Sequence, residues 1–591
     1  MLQNILPPSG VVKEVSPDTA ELMWTDADKV RFRMGFAEKI GGWSAIGVSS
    51  LTGVARAGIT WAALDGMARM VVGTESYLYL YESGDIYDIT PIRSTATLGA
   101  NPFATTNGSS TVTVTHASHG ASTGDRVSFS GGGVPFTLNN VTIGTGRFTL
   151  TKINANSYTI TGSGTANATG SGGPSATVKY SLSATSAEHV YGNGWGAGAW
   201  GRFTWGSPSD TNVLTDETTI WSIDTWGEDI ICARFQEALY VYDTSAGPTA
   251  YPTSPSGSPT TVGIVLTSTP DRHLVALGAH DGTSFDPLLI RWSDQEDYTT
   301  WTPAADNSAG SLRIESGQRV MGGAKGRGQI LVWTDLDLWS LQFVGDPFYF
   351  ALQQLGTGCG LYSPFGYAVV DRMAFWIGTN NFYVYDGDVQ VLDCPVHAHV
   401  FDNIVRTQPW KVKAGVNKRF HEIWWFYPGE SDENDHYVVY NYKENHWTIG
   451  TMDRTCWLPE GTFQFPIAIN STGTVFFHEV GSDANGSAME AFVETGYFDW
   501  AEGDTMLFMD RVIPDIMDVT GTESVQFYVY SKRYPNADPI TKGPYSVFDD
   551  TEKVSLRARG RSFKFRFESS DIGNGWRMGK WRADMQPDGK R

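Results

Sequence analysis

The chain lacks several features that identify common classes of protein. Its four cysteines, Cys232, Cys359, Cys394 and Cys456, lie far apart, which argues against a zinc knuckle or a disulfide framework and predicts buried thiols. No run of about 18 apolar residues occurs, so no membrane span is expected. The first ten residues lack the basic and apolar regions of a secretory signal, so synthesis in a cytoplasm is expected.

Positive charge is also scarce. The 43 Lys and Arg residues stand against 64 Asp and Glu residues, which gives a net charge of −21. General affinity for nucleic-acid phosphates depends on basic side chains that release counterions, so the composition argues against such affinity. An acidic surface still suits a conduit through which DNA passes, because it repels the phosphate backbone. A generic acidic soluble protein is the simpler alternative.

Motifs for catalysis are missing from the sequence. It contains no Gly-x-Ser-x-Gly elbow, no His-Glu-x-x-His zinc helix and no Walker loop. The glycine-rich stretches 322–328 and 356–360 lack the strand-to-helix setting of a phosphate loop and are interpreted as turns between strands. We therefore expect neither an enzyme nor a bound cofactor.

Three further patterns have both a functional and a structural interpretation. Cys394, His397 and His399 form the one tight cluster of soft metal ligands, but a fourth ligand is missing nearby, so loop or core positions are favoured. The acidic run 430–435 lacks the ligand spacing of a calcium loop and predicts a solvated hairpin tip. Segment 291–303 resembles the Asp-box turn of sialidases, which is a structural hairpin.

Aromatic strand patterns dominate what is present. Seven segments alternate aromatic or branched residues with others at period two, as strands do, and most end in an Asp, Asn or Gly turn. They are 77–89, 237–243, 287–294, 337–345, 381–389, 435–447 and 473–481. From Tyr240 onward their centres are 51, 48, 44, 55 and 38 residues apart, the range of a four-stranded propeller blade. An all-β propeller of six to eight blades is predicted, with a series of unclosed β-sandwiches as the alternative.

The remaining segments predict accessory domains. Residues 102–179 are rich in Thr, Ser, Gly and Asn and interrupt the repeat, which predicts an inserted small β domain that either contacts a glycan or partner or decorates the surface. The predicted organisation is an N-terminal segment with the first blade or blades (1–101), the insert, the remaining blades (180–509) and a C-terminal β-sandwich-like platform domain (510–591).

A row of cations marks the C-terminal segment. Arg557, Arg559, Arg561, Lys564 and Arg566 alternate with apolar residues, which predicts one strand pair with a basic face and an apolar face. The functional interpretation is a docking surface for an acidic neighbour or a neighbouring subunit. The structural interpretation is a solvated edge protected by charge.

Several strings in order resemble one known family. The strings are PPSGVVKEVSP (7–17) and MWTDADKVRFRMGFAEKIGGW (23–43) at the opening, segments 291–303, 316–364 and 438–450 in the centre, and RARGRSFKFRFES with GWRMGKWRADMQPDGKR (557–591) at the ending. They are similar to strings of short-tailed bacteriophage (podovirus) tail proteins called stabilization, hub or nozzle proteins. The similarity covers most of the chain apart from 102–179. That family provides no catalytic residues to carry over.

The resemblance implies a structural virion protein of the phage tail. It implies a homo-hexamer ring below the portal-adaptor ring, a channel with an acidic lumen that conducts and gates genomic DNA, and contacts with tail fibres or tailspikes. A lectin-like propeller that binds host glycan is the alternative, and a glycan-cleaving enzyme is a third hypothesis.

Overall fold

The computed structural model describes residues 2–189, 217–499, 503–521 and 524–589. In this part the chain is all-β, as predicted, with one short α-helix, His397–Phe401, and 3-10 turns at Thr244–Ala246, Pro409–Lys411 and Lys418–Phe420. The predicted segments 180–509 and 510–591 include residues 190–216, 500–502, 522–523 and 590–591, which lie outside the described residues.

Seven small antiparallel sheets, numbered 1 to 7 along the chain, follow one plan within the described ranges: four strands each, and three in sheet 2. Sheets 1 to 3 comprise Ala55–Ala62, Ala68–Thr74, Leu78–Glu82 and Asp85–Asp88; Trp221–Trp226, Asp229–Arg234 and Leu239–Tyr242; and Val262–Thr267, Leu274–His280, Phe285–Trp292 and Gly310–Arg313. Sheets 4 and 5 comprise Val320–Gly326, Gln329–Thr334, Leu338–Gly345 and Tyr349–Gly356; and Tyr367–Val370, Met373–Ile377, Phe382–Tyr385 and Val389–Val391. Sheets 6 and 7 comprise Lys413–Asn417, Glu422–Tyr427, His436–Asn441 and His446–Thr451; and Cys456–Leu458, Ile467–Ile469, Val475–His478 and Trp43–Ala45.

The seven sheets contact one another in cyclic order. The first strand of each sheet contacts the first strand of the next, and that of sheet 7 contacts that of sheet 1. Buried apolar residues pack between every neighbouring pair, for example Trp221 with Val71 between sheets 1 and 2, and Trp457 with Trp424 between sheets 6 and 7. Both faces of each sheet are therefore covered, and each repeat depends on its two neighbours.

Sheet 7 takes its fourth strand from the beginning of the chain. Trp43–Ala45 pairs antiparallel with Val475–His478, with Ser44 opposite Phe477. The predicted segment 1–101 therefore contributes to both ends of the cycle. Sequence spacing alone misses this, because the partner strand lies more than 400 residues away.

The inserted unit, defined as residues 92–182, interrupts the chain between sheets 1 and 2. One of its sheets has the order Ile92–Thr97, Thr177–Ser181, Arg126–Ser130 and Arg147–Thr149. The other has the order Thr151–Asn154, Ser157–Thr161, Thr111–Thr115, Phe103–Thr105 and Gly170–Gly172, beside the hairpin Phe136–Leu138 and Val141–Ile143. Since its first and last strands pair, the unit begins ten residues before the predicted boundary at 102.

The terminal platform consists of three sheets that combine both ends of the chain. Their strands, in sheet order, are Leu2–Ile5, Trp581–Pro587, Leu507–Ile513 and Val554–Gly560; Trp24–Asp28, Ala491–Thr495, Ser562–Ser569, Val525–Lys532 and Ile540–Val547, with Phe498–Asp499 beside Ser562–Ser569; and Val30–Arg33, Phe36–Lys39, Gly575–Met578 and Ile516–Thr520. The predicted boundary at 510 is therefore wrong, because strands before residue 40 and after residue 490 belong to the same sheets.

The platform shares its hydrophobic core with the ring of sheets. Phe567 and Trp581, from two different platform sheets, have ring centroids 4.2 Å apart. The same buried cluster continues through Trp24 and Phe32 to Trp447 and Phe382 of sheets 6 and 5. Platform and ring are thus joined by continuous apolar packing.

Candidate functional site

The first strands of the ring enclose a cavity of about 580 Å³. Its wall is mainly apolar and comes from first strands of five sheets, from Trp410, and from the residues around them. Representative lining residues are Ile59, Ile223, Ile264, Met321, Val369 and Trp410. We call this space the axial cavity.

The few charges at the axial cavity neutralise each other. Lys325 Nζ lies 2.7 Å from Asp224 Oδ2, and the Thr267 backbone N–H also donates to that carboxylate, at 2.7 Å. The Tyr367 hydroxyl donates to the Gly323 carbonyl at 2.6 Å. A cavity of this size and polarity matches the small-molecule range. It does not supply an acidic DNA channel along the axis of one chain.

The predicted basic row has the expected alternation but lies in two sheets. Arg557 and Arg559 are exposed on Val554–Gly560, whereas Phe563 and its neighbours at alternate positions are buried on Ser562–Ser569. These strands have different partners in the platform. The expectation of one strand pair is therefore wrong, because the chain passes from one sheet to the other around Arg561.

The last two cations of the row are held by acidic side chains of the same chain. Arg566 lies 2.9 Å from Glu494 and 2.7 Å from Glu568, and its guanidinium is 3.7 Å from the centre of the Phe492 ring. Lys564 also pairs with Glu494. Their pairing directs both cations toward the platform itself.

The first three cations of the row differ in their surroundings. Arg561 donates to the carbonyls of Gly503 and Asp504, both at 2.7 Å. Arg559 pairs with Asp588. Arg557 is exposed and forms no ion pair within the part of the chain that the structure describes. Of the predicted docking residues, Arg557 is therefore the one most available to an acidic neighbour.

A buried Asp–His–Ser arrangement lies in sheet 3, and sequence reasoning missed it. His273 Nδ1 is 2.8 Å from Asp271 Oδ2, and Nε2 is 3.0 Å from Ser308 Oγ. The Ser308 hydroxyl, however, donates to Asp294 Oδ1 at 2.6 Å, so its proton points away from the imidazole. His273 is fully buried. The network stabilises the turn within segment 291–303, and its members carry no shared sequence signal.

The cysteine and histidine candidates are structural within the described ranges. All four cysteines are buried free thiols, as predicted, and burial raises the pKa of the Cys394 thiol to about 12. His397 Nε2 lies 2.6 Å from the Asn380 carbonyl oxygen. No group of three His, Cys, Asp or Glu side chains among the described residues is arranged to hold a metal ion.

The first part of the acidic run 430–435 is a solvated hairpin tip, as predicted, because residues 430–432 are exposed between two paired strands. The second part is not. Glu433 lies 2.7 Å from both Arg56 and Lys411, and Asn434 is buried. Asp435 accepts the Gly429 backbone N–H at 2.7 Å. The run therefore joins sheet 6 to sheet 1 through the Glu433–Arg56 ion pair, which a sequence pattern does not reveal.

One buried ion cluster connects the platform to the ring. Arg31 Nε donates to Glu422 of sheet 6 at 2.9 Å, and Arg31 Nη1 donates to Glu479 at 2.9 Å. Its guanidinium lies 3.6 Å from the centre of the Phe420 ring. Burial raises the pKa of Glu422 to about 7, although Arg31 acts in the opposite direction. Removing one member of such a cluster leaves a buried charge without its partner, which destabilises the fold.

None of the helices in the described part of the chain has the length and apolar character that crossing a bilayer requires.

Comparison with known proteins adds no family. No family model matches the chain, and no curated protein matches it. Among solved structures, the phage phi92 endosialidase is 10% identical, with 69% of this chain and 54% of that chain covered and a TM-score of 0.18. The N-terminal domain of Nup159 is 12% identical, with 45% and 77% covered and a TM-score of 0.27.

A third similar structure is the exo-β-1,3-galactanase from Phanerochaete chrysosporium, 10% identical, with 64% of this chain and 98% of that chain covered and a TM-score of 0.19. The chain thus spans about half the length of the endosialidase that it matches. Similarities at this level assign neither an activity nor a partner.

Proposed function

We propose that the chain is a structural subunit of a short phage tail, of the nozzle or hub type, and not an enzyme. The ordered resemblance of its opening, central and ending strings supports this role. The observation that carries it structurally is the union of both chain ends in a platform that shares a core with the ring. Such a subunit is a rigid block suited to assembly.

We infer further that the seven sheets form a closed seven-bladed β-propeller. The cyclic contacts of first strands and the buried packing between all seven pairs of neighbouring sheets support closure. The strand Trp43–Ala45 completes the last blade, which leaves only short sheet edges exposed.

In this proposal the DNA channel lies between chains and not within one. The axial cavity is apolar and of small-molecule size, whereas the net charge of −21 lies on the chain as a whole. Six copies below a portal-adaptor ring would enclose an acidic lumen that conducts and gates genomic DNA, and their outer faces would hold tail fibres or tailspikes. Arg557 is our candidate contact with an acidic neighbour.

The test is cryo-electron microscopy and native mass spectrometry of purified particles and of the isolated protein. We expect six copies in a ring attached to the portal-adaptor in the virion. An Arg557→Glu variant should assemble less completely, whereas Lys152→Glu in the inserted unit should assemble normally. Absence of the protein from virions, or a strictly monomeric state in them, would contradict the proposal.

A further inference from the structure

An open pocket of about 390 Å³ lies where turns of sheets 5 and 6 meet. Val370 and Asp371 come from the first turn of sheet 5. Lys418 and His421 come from the first turn of sheet 6, and Tyr442 and Lys443 from its last turn. We call it the lysine pocket. Its volume falls within the ~300–1,000 Å³ range of small-molecule sites.

The charge of the lysine pocket is opposite to that of the chain. Lys418 and Lys443 are exposed, and neither ammonium group forms an ion pair within the described residues. Elsewhere lysines such as Lys325 and Lys411 are paired with carboxylates. Two unpaired cations beside one pocket in a chain of net charge −21 favour an anionic ligand.

The other groups are arranged for a ligand with hydroxyls. His421 Nδ1 lies 3.3 Å from the Tyr442 hydroxyl, and the two rings meet nearly edge to face at 71°. The Tyr442 backbone N–H donates to the His421 carbonyl at 3.0 Å, which fixes both residues. The Tyr442 phenol is a hydrogen-bond donor at neutral pH, and burial moves its pKa further above that range.

Asp371 distinguishes between two kinds of anion. As a lining carboxylate, it accepts hydrogen bonds from hydroxyls and repels a small multiply charged ion such as phosphate. The aromatic ring of Tyr442 adds an apolar surface, as in other small-molecule sites. We propose that the lysine pocket binds an anionic sugar, with the lysines at its acidic group and Asp371, His421 and Tyr442 at its hydroxyls and ring.

The experiment is a calorimetric titration of the full chain with methyl glucuronide, methyl glucoside and inorganic phosphate. We expect the glucuronide to bind at least ~10-fold more tightly than either of the others, which corresponds to ~1.4 kcal/mol. Added salt should weaken its binding. No glucuronide binding, equal binding of the glucoside, or equally tight binding of phosphate would overturn the proposal.

Variants locate the binding. Lys418→Gln with Lys443→Gln should reduce glucuronide affinity at least ~10-fold, because both charged hydrogen-bond donors at the acidic group are removed. Lys152→Gln with Lys553→Gln, which removes the same charge at other exposed sites, should leave the affinity unchanged. Equal loss in both pairs would overturn the assignment. Because the pocket lies within one chain, the result does not depend on ring assembly.

Discussion

The inserted unit and the terminal platform are both joined to the ring of sheets, but in different ways. The inserted unit has its own buried core, and its first and last strands pair with each other. The platform combines strands from both chain ends and continues its core into sheets 5 and 6. The difference indicates a separable module in one case and an integral part of the ring in the other.

Two arginines show the same difference electrostatically. Arg147 of the inserted unit lies 2.7 Å from Asp88 and donates to the Thr90 carbonyl at 2.7 Å, at the edge of sheet 1. Arg31 of the platform, with 2% of its side chain exposed, binds two glutamates that are themselves buried. Loss of Arg147 leaves Asp88 with a second cation, Arg126, at 3.5 Å, whereas loss of Arg31 removes the cation between two buried carboxylates.

Replacing Arg31 should have the largest effect. Arg31→Met removes the cation between Glu422 and Glu479, and breaking a buried pair costs about 3–5 kcal/mol of unfolding free energy. The control is Arg33→Met on the same strand, where the side chain is 42% exposed, and its cost should be at most ~1 kcal/mol. Urea unfolding followed by circular dichroism measures both, and equal losses would contradict the comparison.

The same variant should be sensitive to pH. The pKa of Glu422 is raised from 4.5 to about 7 in the folded chain, so its contribution to stability is full below 4.5 and is lost as pH rises through 7. Without Arg31 the ionised form has no cation beside it. The deficit of Arg31→Met should therefore increase between about pH 6 and about pH 8, and a constant deficit in urea unfolding would contradict this expectation.

Trp581→Ala should have an effect of similar or slightly smaller size. Trp581 is 1% exposed and contacts Phe567 across two platform sheets. Truncating a buried tryptophan costs about 3–5 kcal/mol. Because the core is shared, the main unfolding transition of the ring should shift with the platform. Tyr534→Ala, at a 60% exposed platform position, should change stability by less than ~0.5 kcal/mol.

Arg147→Met should loosen the inserted unit without affecting the ring. The variant loses the ion pair with Asp88 and the cation–π contact in which the guanidinium lies 4.2 Å from the centre of the Tyr251 ring. The loss should destabilise the inserted unit locally by about 1.5–3 kcal/mol, the contribution of hydrogen bonds to charged groups. Hydrogen exchange should increase around residues 90–97, while the main unfolding midpoint remains within error. Lys152→Met, at an exposed position of the same unit, should change neither. A shift of the main midpoint would show that the unit is integral.

Deleting the inserted unit should have the smallest effect on the ring. Ile92 lies opposite Ser181 in the sheet, so a short glycine-serine linker joins the cut ends. The free energy of unfolding of the main transition should change by less than ~1 kcal/mol. A truncated chain that lacks Trp581–Pro587 serves as the contrasting deletion and should fail to fold cooperatively. Aggregation of the insert deletion would contradict its separability.

Local patterns predicted the β content and the repeated sheets, because side chains of different character alternate at period two within single strands. The pairing of Leu2–Ile5 with Trp581–Pro587 and the strand Trp43–Ala45 were not predictable, since a strand of three or four residues has no distinctive signal. The composition of the insert identified it, but its first strand, Ile92–Thr97, follows directly after the last strand of sheet 1 and was assigned to that sheet's segment.

The candidate sites were less accessible to prediction. The alternation around Arg557 was readable, yet its division between two sheets depends on distant partners. Lys418 and Lys443 meet only because two turns of one sheet lie at the same end. The Arg31 cluster joins residue 31 to two glutamates that lie 391 and 448 residues later in the chain. Contacts of this kind are set by tertiary packing and leave no local pattern.

The pairing of Leu2–Ile5 with Trp581–Pro587 determines when this platform sheet can be completed during synthesis. Leu2–Ile5 is synthesised long before its partner Trp581–Pro587, from which it is separated by most of the described strands. The fourth strand of sheet 7 likewise waits for Val475–His478. Until then the early strands have unsatisfied edges, which are prone to misassociation. A product that ends before Val475 lacks both closures, and one that ends between His478 and Trp581 lacks the platform closure. Either product exposes unpaired strand edges to proteolysis before it can join an assembly.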